Sequence, residues 1–446
     1  MATTYLTKAA NANANQKLFT FSAWVKTTTA SFNGCILAFR ESSTRYCRIF
    51  FEGGKFCIKQ AYDGSTEADT KTSALYKDNH GWYHLVIAVD TAQSTNTNRI
   101  KMYVNGEQIT SFSSSDFGSQ NADLVTRTTC YIGQSGDGDN YFSGVMSHVH
   151  YIDGTAYAAS TFGSTDSTTG EWKITTSPTL TMGTTGFTIL KDGNTITDQS
   201  SNSNDFSLGG GTLTNTEDCP SNVFATLNGI HVGGGDSTLS NGNTTYSLSN
   251  YSYNTRSTLG MPSGKFYWEQ KQSDTSTRIG LITSGFTIDL DTDNANAYYG
   301  GSGGGGVYLL LSNNSTSWQL TNNNTSRSVT TYTNAIASSA NDILMGAVDV
   351  DAGKLWIGVN GTWFNSGNPA TAATPTLTFT NSSGDDLQIY AGHGTDSARV
   401  SSFNFGNGYF GTTAISSEGT NASGIGKFEY DVPAGYTALS TKGLNE

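Results

Sequence analysis

The sequence predicts an all-β fold of two tandem antiparallel β-sandwiches joined by an irregular packed connector. Three observations predict it. Short runs alternate apolar and polar residues, turn dipeptides rich in Gly and Asn separate them, and no window keeps apolar residues at i, i+3, i+4, i+7 for three turns. At 446 residues the chain exceeds one ordinary core. With 51 Gly, 6 Pro, 13% charged residues, 22 Tyr and 22 Phe, it has the makings of many short strands, polar turns and an aromatic interior.

In chain order the first strands are FTFSAWVK (19–26), CRIFFEGGKFCIKQAY (47–62), WYHLVIAVD (82–90), RIKMYVNGEQI (99–109) and VMSHVHYIDG (145–154). Gly53-Gly54, Asn105-Gly106 and Asp153-Gly154 read as hairpin turns, because these residues take positive φ at little cost. A short helical piece is expected near Ala156 to Phe162. From about 160 to 235 the chain turns polar with isolated hydrophobic residues. Strands resume with YSLSNYSY (246–253), GKFYWEQK (264–271), RIGLIT (278–283), VYLLLS (307–312), the long run 342–364, DLQIYAGH (386–393) and SSFNFGNGYF (401–410). The expected domains are 1–163 and 240–446, with a connector carrying short strands over 164–239.

The net charge of −12 and pI near 4.9 oppose binding to nucleic acid or anionic lipid, since phosphate affinity needs surplus Lys and Arg. No run of about 18 apolar residues would insert into a membrane, and the opening MATTYLTKAANANANQK lacks a secretory apolar core. Folding that begins in a cytoplasm is the expectation. Cys35, Cys47, Cys57, Cys130 and Cys219 are odd in number and match no metal spacing. Free buried thiols are expected, with a Cys47–Cys57 disulfide as the alternative.

The run 81–109 resembles the most identifiable hairpin of concanavalin A-like lectin and laminin G-like jelly-roll domains, through Trp82, His84, Asp90, Tyr103, Val104, Asn105 and Gly106. Ile132-Gly133 and Phe142-Ser143-Gly144 are similar to that family's closing strands. In the second half, Lys265, Tyr267, Trp268, Glu269, Gly280, Asp349, Trp356, Asn360, Gly361, Trp363 and Phe403 to Gly406 resemble a SPRY domain. The pairing of these domains, and the opening MATTYLTKAANANANQKLFTFSAWVK, are similar to marine bacteriophage virion surface or tail-fibre proteins. That resemblance implies a homo-oligomer, with a trimer as the usual fibre state, that assembles in a host cytoplasm and acts on the virion surface. Its partners would be other virion proteins and host-surface glycan. A head decoration or tail structural component is the rival within the same resemblance, and a cellular glycan-binding module is the more remote one. The chain carries no coiled-coil or collagen-like stalk.

Some glucanases share the lectin fold and place paired carboxylates on one strand. Here Glu67-Ala-Asp69 has no third carboxylate, and Glu269 sits at a structural position of the SPRY pattern, so a non-enzyme is expected. His148 and His150, two apart on a strand, share a face and read either as a metal pair or as half-buried packing. Asp289, Asp291 and Asp293, and separately Asp137 and Asp139, have the oxygen-rich spacing of a calcium loop or of a solvated acidic turn. The glycine run 300–306 lacks the Lys-Ser/Thr of a phosphate loop. Tyr298, Tyr299 and Trp318 are the candidate ligand-binding residues, against a packing role, because aromatic faces beside Asn and Asp suit sugar or protein recognition. Trp82, Trp268, Trp356 and Trp363 are expected in the cores.

Overall fold

The computed structural model divides the chain into two units, Met1–Asn215 and Thr216–Glu446. It describes residues 3–9, 15–28, 32–124, 128–191, 195–231, 237–249, 254–275, 277–285, 307–314, 317–322, 329–332, 338–380, 384–393 and 398–445.

The strands of the first unit are β1 (Tyr5–Lys8), β2 (Leu18–Thr27), β3 (Gly34–Arg40), β4 (Tyr46–Glu52), β5 (Lys55–Tyr62), β6 (Ser65–Thr72), β7 (Tyr83–Asp90), β8 (Ile100–Val104), β9 (Glu107–Gln108), β10 (Phe112–Asp116), β11 (Thr129–Ile132), β12 (Gly144–Asp153), β13 (Gly163–Thr165), β14 (Trp172–Ile174), β15 (Phe187–Ile189) and β16 (Ser207–Gly210). One sheet runs β10-β6-β5-β4-β3-β11-β1-β16 and the other β15-β12-β2-β7-β8-β9. Period-2 alternation aims Phe19, Phe21 and Val25 of β2 and Ile87 of β7 at Ile49 and Phe51 of β4 and Ile58 of β5, which packs the two sheets as an antiparallel sandwich.

The turns close as their chemistry dictates. Gly53 and Gly54 (φ 58° and 79°) join Glu52 to Lys55, and Asn105 and Gly106 (φ 48° and 84°) join Val104 to Glu107, each a two-residue loop with both φ positive. A Cβ on Gly106 would also lie 2.4 Å from the Trp172 ring. Gly106→Ala is therefore expected to cost about 2 kcal/mol, measured by urea unfolding; an unchanged midpoint would refute that account of the turn. Asp153-Gly154 differs from expectation. Gly154 does have φ 81°, but the chain leaves the sheet there, and the Asp153 carboxylate accepts from the backbone N–H of Asn15 (2.6 Å) and Thr185 (3.3 Å) instead of closing a hairpin.

Two of the short strands expected in the connector join the sheets of the first unit. β15 pairs with β12, β16 pairs with β1, and Phe187, Ile189 and Phe206 enter the first core. Its polar run organises around buried Asp198, whose carboxylate accepts from the N–H of Thr188, Ser200 and Asn204 and from the Ser200 hydroxyl. Of the predicted helical piece, Ala159–Thr161 forms a 3₁₀ turn, and no α-helix occurs among the described residues.

In the second unit one sheet orders Ser237–Ser240, Thr245–Leu248, Arg399–Asn404, Lys265–Gln272, Ile343–Asp349, Lys354–Val359 and Thr362–Trp363. The other orders Asn254–Arg256, Leu387–His393, Thr277–Thr283, Val307–Asn314, Ser317–Asn322 and Val329–Tyr332. Phe266 and Trp268 of the first meet Ile279, Leu281 and Ile389 of the second in one core. Trp82, Trp268 and Trp356 are buried and Trp363 is half-buried. Both units reuse one hairpin device. The Asn105 side chain accepts from the His84 N–H at 2.8 Å, and that of Asn360 accepts from the Ile343 N–H at 2.9 Å, each Asn preceding Gly in a turn.

All five cysteines are free. Cys47 packs in the core, whereas Cys57 packs on the opposite face of the same sheet, so the two cannot join; burial pushes both thiols up to about 12.

Candidate functional site

The two outer faces of the first sandwich differ in what covers them. Over the sheet containing β2, β7 and β12, the chain that follows β12 folds back. Tyr157, Phe162, Trp172, Leu180 and Met182 close over Val86, Ala88, Tyr103 and Ile152.

Beneath that cover lies a histidine cluster. The His84 ring stacks on Trp24 (4.8 Å between centroids) and on Trp172 (6.0 Å). Trp172 Nε1–H donates to His84 Nδ1 at 3.0 Å. Because an indole nitrogen only donates, the proton of neutral His84 stands on Nε2 and is donated to Ser22 Oγ, 2.9 Å away. His150 Nδ1 bonds the Thr188 hydroxyl (2.8 Å), and His148 Nδ1 bonds Ser147 Oγ (2.7 Å). His148 and His150 do lie together, with ring centroids 6.4 Å apart, although a bulge with positive φ at His148 separates them on β12. Burial first, then the neighbouring His148, lowers His84 and His150 each to about 3. Both ring nitrogens of His84, and Nδ1 of His148 and of His150, are thus committed to hydroxyls and an indole.

The outer face of the β10-to-β16 sheet keeps half-buried aromatic rings in reach of solvent. On β4 the core takes Cys47, Ile49 and Phe51, so Tyr46, Arg48 and Phe50 point outward. Antiparallel register sets Ala38 of β3 and Lys59 of β5 beside Arg48, and Arg40 beside Tyr46. It also brings Tyr131 of β11 against Ala38 and Thr7 against Tyr131. The Tyr5 ring lies 6.4 Å from Tyr131 and 6.1 Å from Tyr141. The guanidinium of Arg48 lies over the rings of Phe50 (4.7 Å) and Tyr46 (5.1 Å), and that of Arg40 over Tyr46 (5.9 Å). The result is a strip of tyrosine faces interleaved with guanidinium groups, with ring surface for apolar sugar faces or side chains and N–H groups for acceptors.

The predicted acidic turn borders this strip. Arg40 pairs with Asp137 at 2.8 Å, Ser135 Oγ bonds Asp139 at 2.6 Å and also Asp137, and Asn140 donates to Asp139 at 2.6 Å. Hydrogen bonding with Asp137 and then Ser135 holds the Asp139 carboxyl below the usual carboxylate range. Asp289, Asp291, Asp293, Tyr298, Tyr299 and the glycine run 300–306 lie outside the described residues; Trp318 falls in the strand Ser317–Asn322, and its side chain lies outside them. Asp69 pairs with Lys59 at 3.4 Å on the open face. Glu269 is fully buried in the second unit and bonded on both oxygens.

Sequence reasoning passed over Tyr5, Arg40, Tyr46, Arg48, Tyr131 and Tyr141. The one local signal was Tyr46-x-Arg48-x-Phe50 in the YCRIFF run, where both strand faces are apolar enough to hide which one is open. The remaining residues converge only through the pairing of β1, β3 and β11.

A family model described as the concanavalin A-like lectin/glucanases superfamily, of the laminin G type, matches residues 2–160. The first unit thus carries a concanavalin A-like, laminin G-like domain. Among solved structures, the chain is similar to the native heptameric SAP-like pentraxin of Limulus polyphemus, with 15% identity over 35% of this chain and 72% of that one and a TM-score of 0.27. Similarity extends to the SPRY domain of human HERC1, with 14% identity over 40% of this chain and 96% of that one and a TM-score of 0.27. Domains LG4-5 of the mouse laminin alpha1 chain give 10% identity over 96% of this chain and 92% of that one, with a TM-score of 0.29. A search of curated proteins finds no match.

Proposed function

We propose that this protein is a non-enzymatic recognition protein of a bacteriophage virion surface, and that the strip of Tyr5, Tyr46, Tyr131 and Tyr141 with Arg40 and Arg48 binds host-surface glycan. The observation that carries the reading is that the chain covers one outer face of its lectin-like sandwich and leaves aromatic and arginine side chains half-buried on the other. Half-buried tyrosines are the side chains from which binding energy is most often drawn, because they offer rigid apolar area with a polar tip. The similarity of the opening segment and of the domain pairing to virion surface proteins supports the location. A homo-oligomer docked on other virion proteins would repeat the strip, and avidity would then multiply a weak single-site affinity.

Two measurements test this. Purified protein is expected to bind extracted surface polysaccharide of the host, with Tyr131→Ala weakening binding roughly tenfold, equal to about 1.4 kcal/mol, when measured well below its melting temperature. Gold-labelled antibody to the protein is expected to decorate intact particles. Particle decoration without polysaccharide binding would move the protein to the structural, head-decoration role; binding without decoration would leave a glycan-binding module of another origin.

A further inference from the structure

The basic residues around the strip are not equivalent. Arg40 is paired with Asp137, Arg45 with Asp63 and Glu41, Lys59 with Asp69, and Lys71 with Glu52. Arg48 stands apart. Among the described residues it forms no salt bridge, its charge acts on the Asp139 and Glu52 carboxyls through space, and its Nε is buried with no acceptor. A buried N–H without a partner is costly enough that native structures seldom keep one.

The surroundings keep the group in place without satisfying it. Phe50 and Tyr46 lie beneath the guanidinium, Ala38 on the neighbouring strand adds little bulk, and Lys59 on the other side is engaged with Asp69. A guanidinium held against aromatic rings keeps its in-plane N–H groups for a planar acceptor, and a carboxylate matches that fork with two parallel bonds.

Resting on the glycan reading of this face, we infer that the ligand is an acidic polysaccharide, with a sugar carboxylate taken by Arg48 while flanking sugar rings lie along the tyrosines. The strip then has two separable parts: tyrosine faces that bind sugars of either charge, and one arginine that selects the carboxylate.

The test uses the full chain and three variants, titrated with polygalacturonate, dextran sulfate, neutral dextran and poly-glutamate. Wild type is expected to bind polygalacturonate roughly tenfold more tightly than dextran. Arg48→Ala is expected to abolish that preference, weakening polygalacturonate roughly tenfold more than dextran. Arg48→Lys is expected to leave the preference lost, because an ammonium is a point charge without the fork. Tyr131→Ala is expected to weaken both sugars alike. The inference is overturned if Arg48→Ala keeps the preference, if wild type binds dextran and polygalacturonate equally, or if dextran sulfate or poly-glutamate binds more tightly than polygalacturonate. Equal binding of the two sugars, still sensitive to Tyr131→Ala, would leave the glycan reading standing, whereas no binding of any polysaccharide would remove both.

Discussion

Lowering the pH from 7 to 5 is expected to destabilise the first unit by about 4 kcal/mol while the second unit gains stability. The loss comes from His84 and His150, whose folded-state values near 3 lie far below the ordinary 6.5. Between those limits the unfolded chain binds protons that the folded unit refuses, so stability falls with pH below 6.5 by about 1.4 kcal/mol per unit for each histidine. Geometry gives the same sign. A proton on His84 Nδ1 would face the Trp172 N–H, which cannot accept it. The second unit answers in the opposite direction, because burial raises Glu269 from 4.5 to about 7. A raised carboxyl contributes stability that is complete below 4.5 and fades as pH rises through 7. Urea unfolding at several pH values should therefore show two transitions whose midpoints move in opposite directions on acidification, and His150→Asn should remove about half of the first unit's slope. Parallel transitions would mean that the histidines reach water or a proton acceptor in the folded state.

Much of the architecture was legible because it is local. Alternation marked the strands, and Asn105-Gly106 and Gly53-Gly54 fixed hairpins whose positive φ few other residues adopt. The lectin-like pattern held because each conspicuous residue has a local task, such as Asn105 accepting from the His84 N–H. What escaped was non-local. β16 reaches β1 across some two hundred residues, and a Ser- and Gly-rich strand at a sheet edge carries too little apolar pattern to separate it from a linker. Asp153-Gly154 looked like a third hairpin, yet its carboxylate is spent on Asn15 and Thr185, partners that no local window contains. The candidate face escaped for the same reason. Tyr5, Tyr131 and Arg48 share a surface only through the register of four strands, and on β4 both faces are rich in aromatic or aliphatic side chains. The aromatic residues the sequence favoured, Tyr298 and Tyr299, fall outside the described residues, so the open face is an independent candidate.

Replacing Glu269 with alanine is expected to destabilise the second unit by about 3 to 5 kcal/mol and to leave ligand binding by the first unit intact. Oε1 accepts from the Tyr267 hydroxyl (3.0 Å) and the Tyr430 N–H (2.8 Å); Oε2 accepts from Asn404 Nδ2 (3.1 Å) and the Glu429 N–H (2.9 Å). The carboxylate thereby ties the strand Lys265–Gln272 to the chain at 429–430 and to Asn404 on Arg399–Asn404. Removing it orphans four donors in a site that water does not reach. Glutamine is the informative control, because its amide must turn N–H toward one pair. Asn404 cannot turn to accept, since its Oδ1 already takes the N–H groups of Gly406 and Gly408. The amide must then sit beside Tyr267 and Tyr430, where the Tyr267 hydroxyl can rotate to accept but the Tyr430 N–H cannot. One donor-to-donor conflict remains, about 1 to 3 kcal/mol. Glu269→Gln should thus fall between wild type and Glu269→Ala in urea unfolding, and it should lose the stabilisation on acidification because no proton is left to bind. If both variants unfolded like wild type, the carboxylate would be dispensable to the fold, and a buried acid retained without a structural task would reopen the question of chemistry at that position.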